Sequence, residues 1–261
     1  MNYKNILLLI FILFSWNTQA QMILQYDTNL SSGTTITLPL QGEVTATIEW
    51  GDASLQIITE AGNIDHTYDT DGIYTVIVKG SLEHFGNYNA DNAEKLVSVK
   101  SFDVTELTDL SFAFKGARNL TNVPKNIPSD ITDVSGMFYS AYSFNQDISS
   151  WDVSNIITMD GMFFKALTFN QNLNKWSVSN VTSMVGMFEG ASVFNQNISN
   201  WDVSQVTNMK AMFHKATSFN QDISNWNVRN VTDMEAMFRG ASSFNPSIID
   251  NWNISNKEDL F

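Results

Sequence analysis

The chain has 261 residues, 43% of them apolar and 12% aromatic, which is material for one large core or two of ordinary size. Its 27 acidic residues against 14 basic ones give a net charge of -13, which argues against a nucleic-acid backbone or an anionic membrane as partner. There is no cysteine, so disulfides, thiolate metal sites and a cysteine nucleophile are excluded.

At the amino end Lys4 precedes an aliphatic and aromatic run from Ile6 to Phe14, too short to span a bilayer. Thr18 and Ala20 put small residues three back and one back from a cut before Gln21, so residues 1–20 are expected to be a signal peptide and the rest to be secreted or held at the cell surface. No cysteine follows the run to carry a lipid, and no second apolar stretch offers a transmembrane segment for the mature chain.

From 21 to 85 the pattern is short alternating runs between turn residues, with Thr35 to Leu38, Ala46 to Trp50 and Ile73 to Val78 predicted as strands of a small antiparallel β-sandwich. Trp50-Gly51-Asp52, His66-Thr67-Tyr68 and Gly72-Ile73-Tyr74-Thr75-Val76 resemble the signature of polycystic-kidney-disease (PKD) type β-sandwich domains. That resemblance implies a spacer or interaction module. Asp52, His66, Asp69 and Asp71 offer carboxylates and an imidazole, the usual parts of a metal or acid–base site, yet their places at a strand end and in a turn favour local backbone capping.

Residues 86–261 are governed by a repeat. Met-Phe pairs recur every 25 residues at Met137, Met162, Met187, Met212 and Met237, in register with Phe144, Phe169, Phe194, Phe219 and Phe244 and with Trp151, Trp176, Trp201 and Trp226. Degenerate leading units occupy 96–136 and regular ones 137–261. Within a unit Trp201 and Val203 fit one face of a short strand, while Met209, Met212, Phe213 and Ala216 follow the three-and-four spacing of a helical turn. The expected fold class is therefore an α/β repeat, a leucine-rich-repeat-like solenoid of about six to seven coils, each a short parallel strand plus a short helical turn. The consensus, close to Met-Phe-x-x-Ala-x-x-Phe-Asn-Gln-x-Ile-Ser-x-Trp-x-Val-Ser-x-Val-Thr-x-Met, resembles that of BspA-type leucine-rich-repeat surface proteins of bacteria and mycoplasmas. The resemblance implies surface display, adhesion and protein binding.

Strand alternation turns the tryptophans inward; facing outward they would make a platform for sugar rings. The residues between Trp and Val, Asp152, Ser177, Asp202 and Asn227, are then a candidate ligand-facing strip, and Tyr139, Lys165, Glu189, His214 and Arg239 are the variable surface positions that would tune selectivity. Asn145, Asn170, Asn195, Asn220 and Asn245 are expected to form a turn-supporting ladder. Calcium is conceivable for exported acidic repeats, but no calcium-loop spacing is present, and no cofactor is expected. The three histidines, His66, His84 and His214, are scattered, and there is no Gly-x-Ser-x-Gly, His-Glu-x-x-His or phosphate loop. The expected function is non-enzymatic: adhesion or binding of an extracellular protein or matrix partner, with a lectin-like glycan module or a structural spacer as the alternatives.

Overall fold

The computed structural model describes residues 20–91, 93–254 and 257–261. The signal peptide expected at 1–20 lies, apart from Ala20, outside them.

Six antiparallel strands form one sheet: β1 (Gln21–Asp27), β2 (Thr35–Glu49), β3 (Leu55–Ile58), β4 (Gly62–Thr67), β5 (Ile73–Phe85) and β6 (Leu96–Phe102). The order is β3-β2-β5-β1-β6, with β4 also on β2. Leu40 pairs with both Gly62 and Phe85, and Ala46 with both Ile58 and Gly80, so β3 and β4 share one edge of β2 and β5 takes the other. Period-two alternation selects the core face: Met22, Leu24 and Tyr26 of β1 are buried, as are Val76, Val78 and Leu82 of β5.

This is a correction to the expected sandwich. β2 and β5 run 15 and 13 residues without changing sheets. The apolar cover that a second sheet would supply comes instead, at one end, from the repeats: Phe85 and Phe102 meet Phe114 at 6.3 and 6.1 Å, and Phe102 meets the edge of Trp151. Sheet and repeats share one hydrophobic core.

The expected α/β solenoid of strands and helical turns is also overturned. Among the described residues there is no α-helix, and beyond β6 no regular strand; the only helical pieces there are single 3-10 turns at Pro246–Ile249 and Lys257–Leu260. The reason lies in the amides around each Met-Phe pair. Those of Met137, Tyr139 and Ala141 donate three residues back, to Val134, Gly136 and Phe138, while those of Gly136, Phe138 and Ser140 donate to Asp160, Met162 and Phe164 of the next unit. An α-helix needs every amide bonded four residues back within its own segment. The alternation is set by left-handed residues, Gly136 at φ 59 and Ser140 at φ 56, repeated at Gly161 and Lys165, Gly186 and Gly190, Ala211 and Lys215, Ala236 and Gly240. The Trp-x-Val segment is no strand either. Trp151 donates its amide to Ile148 and Ile156 to Val153, so a turn stands on each side of it. Parallel pairing between units is confined to single residues: one column of Asp109, Asp133, Thr158, Ser183, Asn208 and Asp233, and a bridge from Ser98 to Asn122 in the leading units.

Side chains carry the rest of the register. Phe138, Phe163, Phe188, Phe213 and Phe238 stack face to face at 5.5 to 5.8 Å between rings. Each also lies against the second phenylalanine of its unit, as Phe188 does against Phe194 at 3.9 Å. Each such pair is worth ~1 kcal/mol beyond its buried area. The tryptophans are buried, and the indole N–H groups of Trp151, Trp176, Trp201 and Trp226 donate backwards, Trp201 to the Leu173 carbonyl at 3.0 Å and Trp226 to Ile198 at 3.2 Å. The asparagine side chains run along the stack: the Asn170 and Asn195 side-chain oxygens accept from the amides of Asn195 and Asn220.

Candidate binding surface

The two left-handed residues of each unit bracket the Met-Phe pair and the position after it, which is pushed to the surface. Stack register puts Lys115, Tyr139, Phe164, Glu189, His214 and Arg239 in that column. Of the variable positions read from the sequence, Lys165 falls one place further on, at the left-handed residue itself; its place in the column belongs to Phe164.

At the sheet-proximal end the column is aromatic. Tyr139 and Phe164 stack at 4.1 Å, and Tyr88, 51% exposed in the β5–β6 loop, packs edge-on against Tyr139 and Phe112. Cations cover these rings: Lys115 Nζ lies 3.8 Å from the Tyr88 centroid, the Arg118 guanidinium 5.2 Å from Tyr142 and Lys165 Nζ 5.1 Å from Phe164. Burial pushes the Tyr139 hydroxyl above its ordinary pKa, and its phenolic and carboxylate neighbours, Tyr88 and Glu189, add to the rise. A cleft of about 680 Å³ opens between Leu30 and Ser31 on one side and Arg118, Tyr139 and Tyr142 on the other. Farther along, His214 Nδ1 lies 2.9 Å from Glu189 Oε1.

Asp152, Ser177, Asp202 and Asn227 form an exposed row on a different face. Asp152 and Asp202 each accept the amide two residues on, from Ser154 at 3.1 Å and Ser204 at 3.0 Å. Hydrogen bonds from those serines hold both carboxyls below the usual carboxylate range. The acids in this row close their own turns.

In the sheet, Asp52 and His66 do meet, at 2.8 Å, with the imidazole stacked on Trp50 at 4.5 Å. Partial burial pushes the Asp52 pKa up, but hydrogen bonds from Ser54 and His66 outweigh it and bring the group from 3.8 to about 2. Asp69 and Asp71 remain exposed turn residues outside that contact. One constellation escaped the sequence reading because it joins β5 to the first unit: His84 Nδ1 lies 3.6 Å from Asp109 Oδ2, and its Nε2 lies 3.2 Å from Ser111 Oγ. The order is that of a Ser-His-Asp relay, but the same Nε2 faces the Ser111 carbonyl at 3.0 Å and Ser111 is only 8% exposed. A nitrogen donating to a carbonyl is not a base for the adjacent hydroxyl. Among the described residues no group of three or more His, Cys, Asp or Glu is placed to hold a metal ion, and no helix is long and apolar enough to cross a membrane.

The family model described as "Mycoplasma protein of unknown function, DUF285" matches residues 83–191 and again 172–261. No curated protein and no solved structure matches the chain.

Proposed function

The chain belongs to the DUF285 family, and for this member we propose a non-enzymatic role as an exported binding protein that engages an extracellular partner, a protein or a matrix component, through the face built around its Met-Phe turns. The observation that carries this reading is the cluster of Tyr88, Tyr139, Tyr142 and Phe164 with Lys115 and Arg118 beside an open cleft. Exposed tyrosines and arginines are the side chains that most often dominate binding energy, because they bring large contact area at small entropic cost. A glycan reading is favoured by these same tyrosines; the tryptophans, at 3% to 4% exposure, do not offer it a platform.

The test is binding of the purified chain to a panel of purified matrix proteins and polysaccharides. For any partner bound, Tyr88→Ala with Tyr139→Ala is expected to weaken affinity tenfold or more, about 1.4 kcal/mol, while Asp152→Ala with Asp202→Ala leaves it unchanged. The opposite ranking would move the contact face to the acidic row. Export is checked separately: amino-terminal sequencing of protein recovered outside the producing cells should begin at Gln21.

A further inference from the structure

Charge is segregated around the stack. On the surface formed by the five residues after each Met-Phe pair, and by their equivalents in the leading unit, stand Lys115, Arg118, Lys165, Lys215 and Arg239. Of these repeat residues Glu189 is the only acid, and it is engaged by His214; Asp91 and Glu94 line the cleft beside Lys115 and Arg118, at the sheet-proximal end only. Among the described residues none of these five cations has a carboxylate within ion-pair distance, whereas Lys210, on another face, pairs with Glu235. In a chain carrying nearly twice as many acids as bases, such a face is a departure that needs a cause.

Lys165 and Lys215 supply the sharper observation. Both are exposed, and both hold left-handed backbone, at φ 53 and 57, in a column whose other places are Gly116, Ser140, Gly190 and Gly240. A residue with a Cβ is less stable than glycine in that conformation, at Ser140, Ala211 and Ala236 as at the two lysines. The glycines complete the arrangement. A Cβ on Gly190 would lie 3.0 Å from the Lys165 side chain, and one on Gly240 3.2 Å from that of Lys215. Each lysine stem thus runs over the glycine of the next unit, and from Lys165 to Gly240 lysine and glycine alternate along the column.

From this alternation we infer that the face binds an extended, sparsely charged polyanion, an acidic polysaccharide laid along the stack. Its acid groups meet Lys165 and Lys215, and its sugar rings lie against Tyr139, Tyr142 and Phe164. The inference rests on the reading of this face as the contact surface. The two lysines stand two units apart, ~10 Å if each unit advances by one parallel-ladder spacing. Nucleic acid carries a phosphate every ~3.4 Å of each duplex strand, far denser than these cations, and the rest of the molecule repels it. A polyuronate, with its charges separated by sugar rings, matches both the sparse cations and the interleaved aromatics.

The experiment is affinity electrophoresis and biosensor titration of the purified chain against alginate, neutral dextran and single-stranded oligo(dT), each at low and high salt, for the wild type and the Lys165→Gly/Lys215→Gly double variant. Glycine is already the residue of the register partners, so the variant is expected to fold, which a thermal melt checks. Alginate should bind the wild type with an affinity that falls as salt rises. The double variant should lose at least tenfold, and Lys165→Arg/Lys215→Arg should retain it. No alginate binding, alginate binding indifferent to the double variant, or oligo(dT) bound as tightly through the same lysines would each overturn the inference. If alginate fails while Tyr88→Ala with Tyr139→Ala still abolishes binding to a matrix protein, only the ligand class falls. If neither responds, the contact surface falls with it.

Discussion

At the scale of single residues the left-handed positions decide most. Non-glycine residues there cost ~1 to 2 kcal/mol, partly offset because glycine is the more flexible residue when unfolded, by ~0.5 to 1 kcal/mol. Lys165→Gly and Lys215→Gly are therefore expected to be neutral or to stabilise by up to ~1 kcal/mol each in urea unfolding. Gly136 behaves differently: a Cβ there would lie 2.3 Å from the Phe112 ring, whereas at Gly161 the nearest atom is 3.8 Å away. Gly136→Ala should cost ~1 to 3 kcal/mol and Gly161→Ala clearly less, as Ala211 and Ala236 already tolerate the same conformation at φ 55 and 57. Asp133 supplies the pH test. Burial raises its pKa, the Ser135 hydrogen bonds oppose this, and the neighbouring carboxylates Asp109 and Asp160 push it further up. A carboxyl whose folded pKa lies above the unfolded 3.8 favours the native state when protonated, so it subtracts stability as pH rises through that interval. Asp133→Asn should thus stabilise at pH 7 and give no gain at pH 3. Asn208, which occupies the equivalent place and accepts the Lys210 amide at 2.9 Å, shows that the amide fits.

At the scale of elements the unit is a chain of tight turns whose alternate amides reach the next unit. Circular dichroism should accordingly lack the paired helical minima. Trp201→Phe keeps an aromatic ring in the column but leaves the Leu173 carbonyl without its indole donor, for a cost of ~1 to 3 kcal/mol; Trp201→Ala, which also opens a cavity, should cost ~3 to 5 kcal/mol. What the sequence disclosed at this scale was the identity of the buried positions, since period and alternation report burial. It did not disclose the backbone that buries them. Met209, Met212, Phe213 and Ala216 satisfy a helix and a succession of tight turns equally well, and the discriminating mark was the glycine before each of Met137, Met162 and Met187. In the sheet, β2 continued through polar Gln41, Gly42 and Glu43, where an irregularity in its pairing with β5 breaks the alternation, so a single long strand read as two short ones. Aligning the units gave Tyr139, Glu189, His214 and Arg239 of the variable column but put Lys165 in the place of Phe164. Tyr88 did not, because it stands in a loop outside the repeat, and neither did the contact of His84 with Asp109 and Ser111, which only the stacking of β5 on the first unit creates.

At the scale of the whole molecule the sheet covers one end of the stack. The sheet meets the first unit through Phe85 and Phe102, and beyond Phe238 the contacts of the stack continue: the Asp259 and Leu260 carbonyls accept the amides of Ala236 and Phe238, and Phe261 takes the next place in the phenylalanine column, 5.8 Å from Phe238. With one core throughout, neighbouring units are expected to unfold together, and what each unit requires of its neighbours is the 25-residue register. Removing residues 187–211 joins Gly186 to Met212 and preserves every column; removing 187–198 destroys them from that point on. Urea unfolding of these two deletions tests the account most directly. The 25-residue deletion is expected to fold with a single cooperative transition and a smaller m-value, and the 12-residue deletion to lose its ordered distal units. Equal behaviour of the two, whether both fold or both fail, would contradict the stacking of units in register on which the binding face depends.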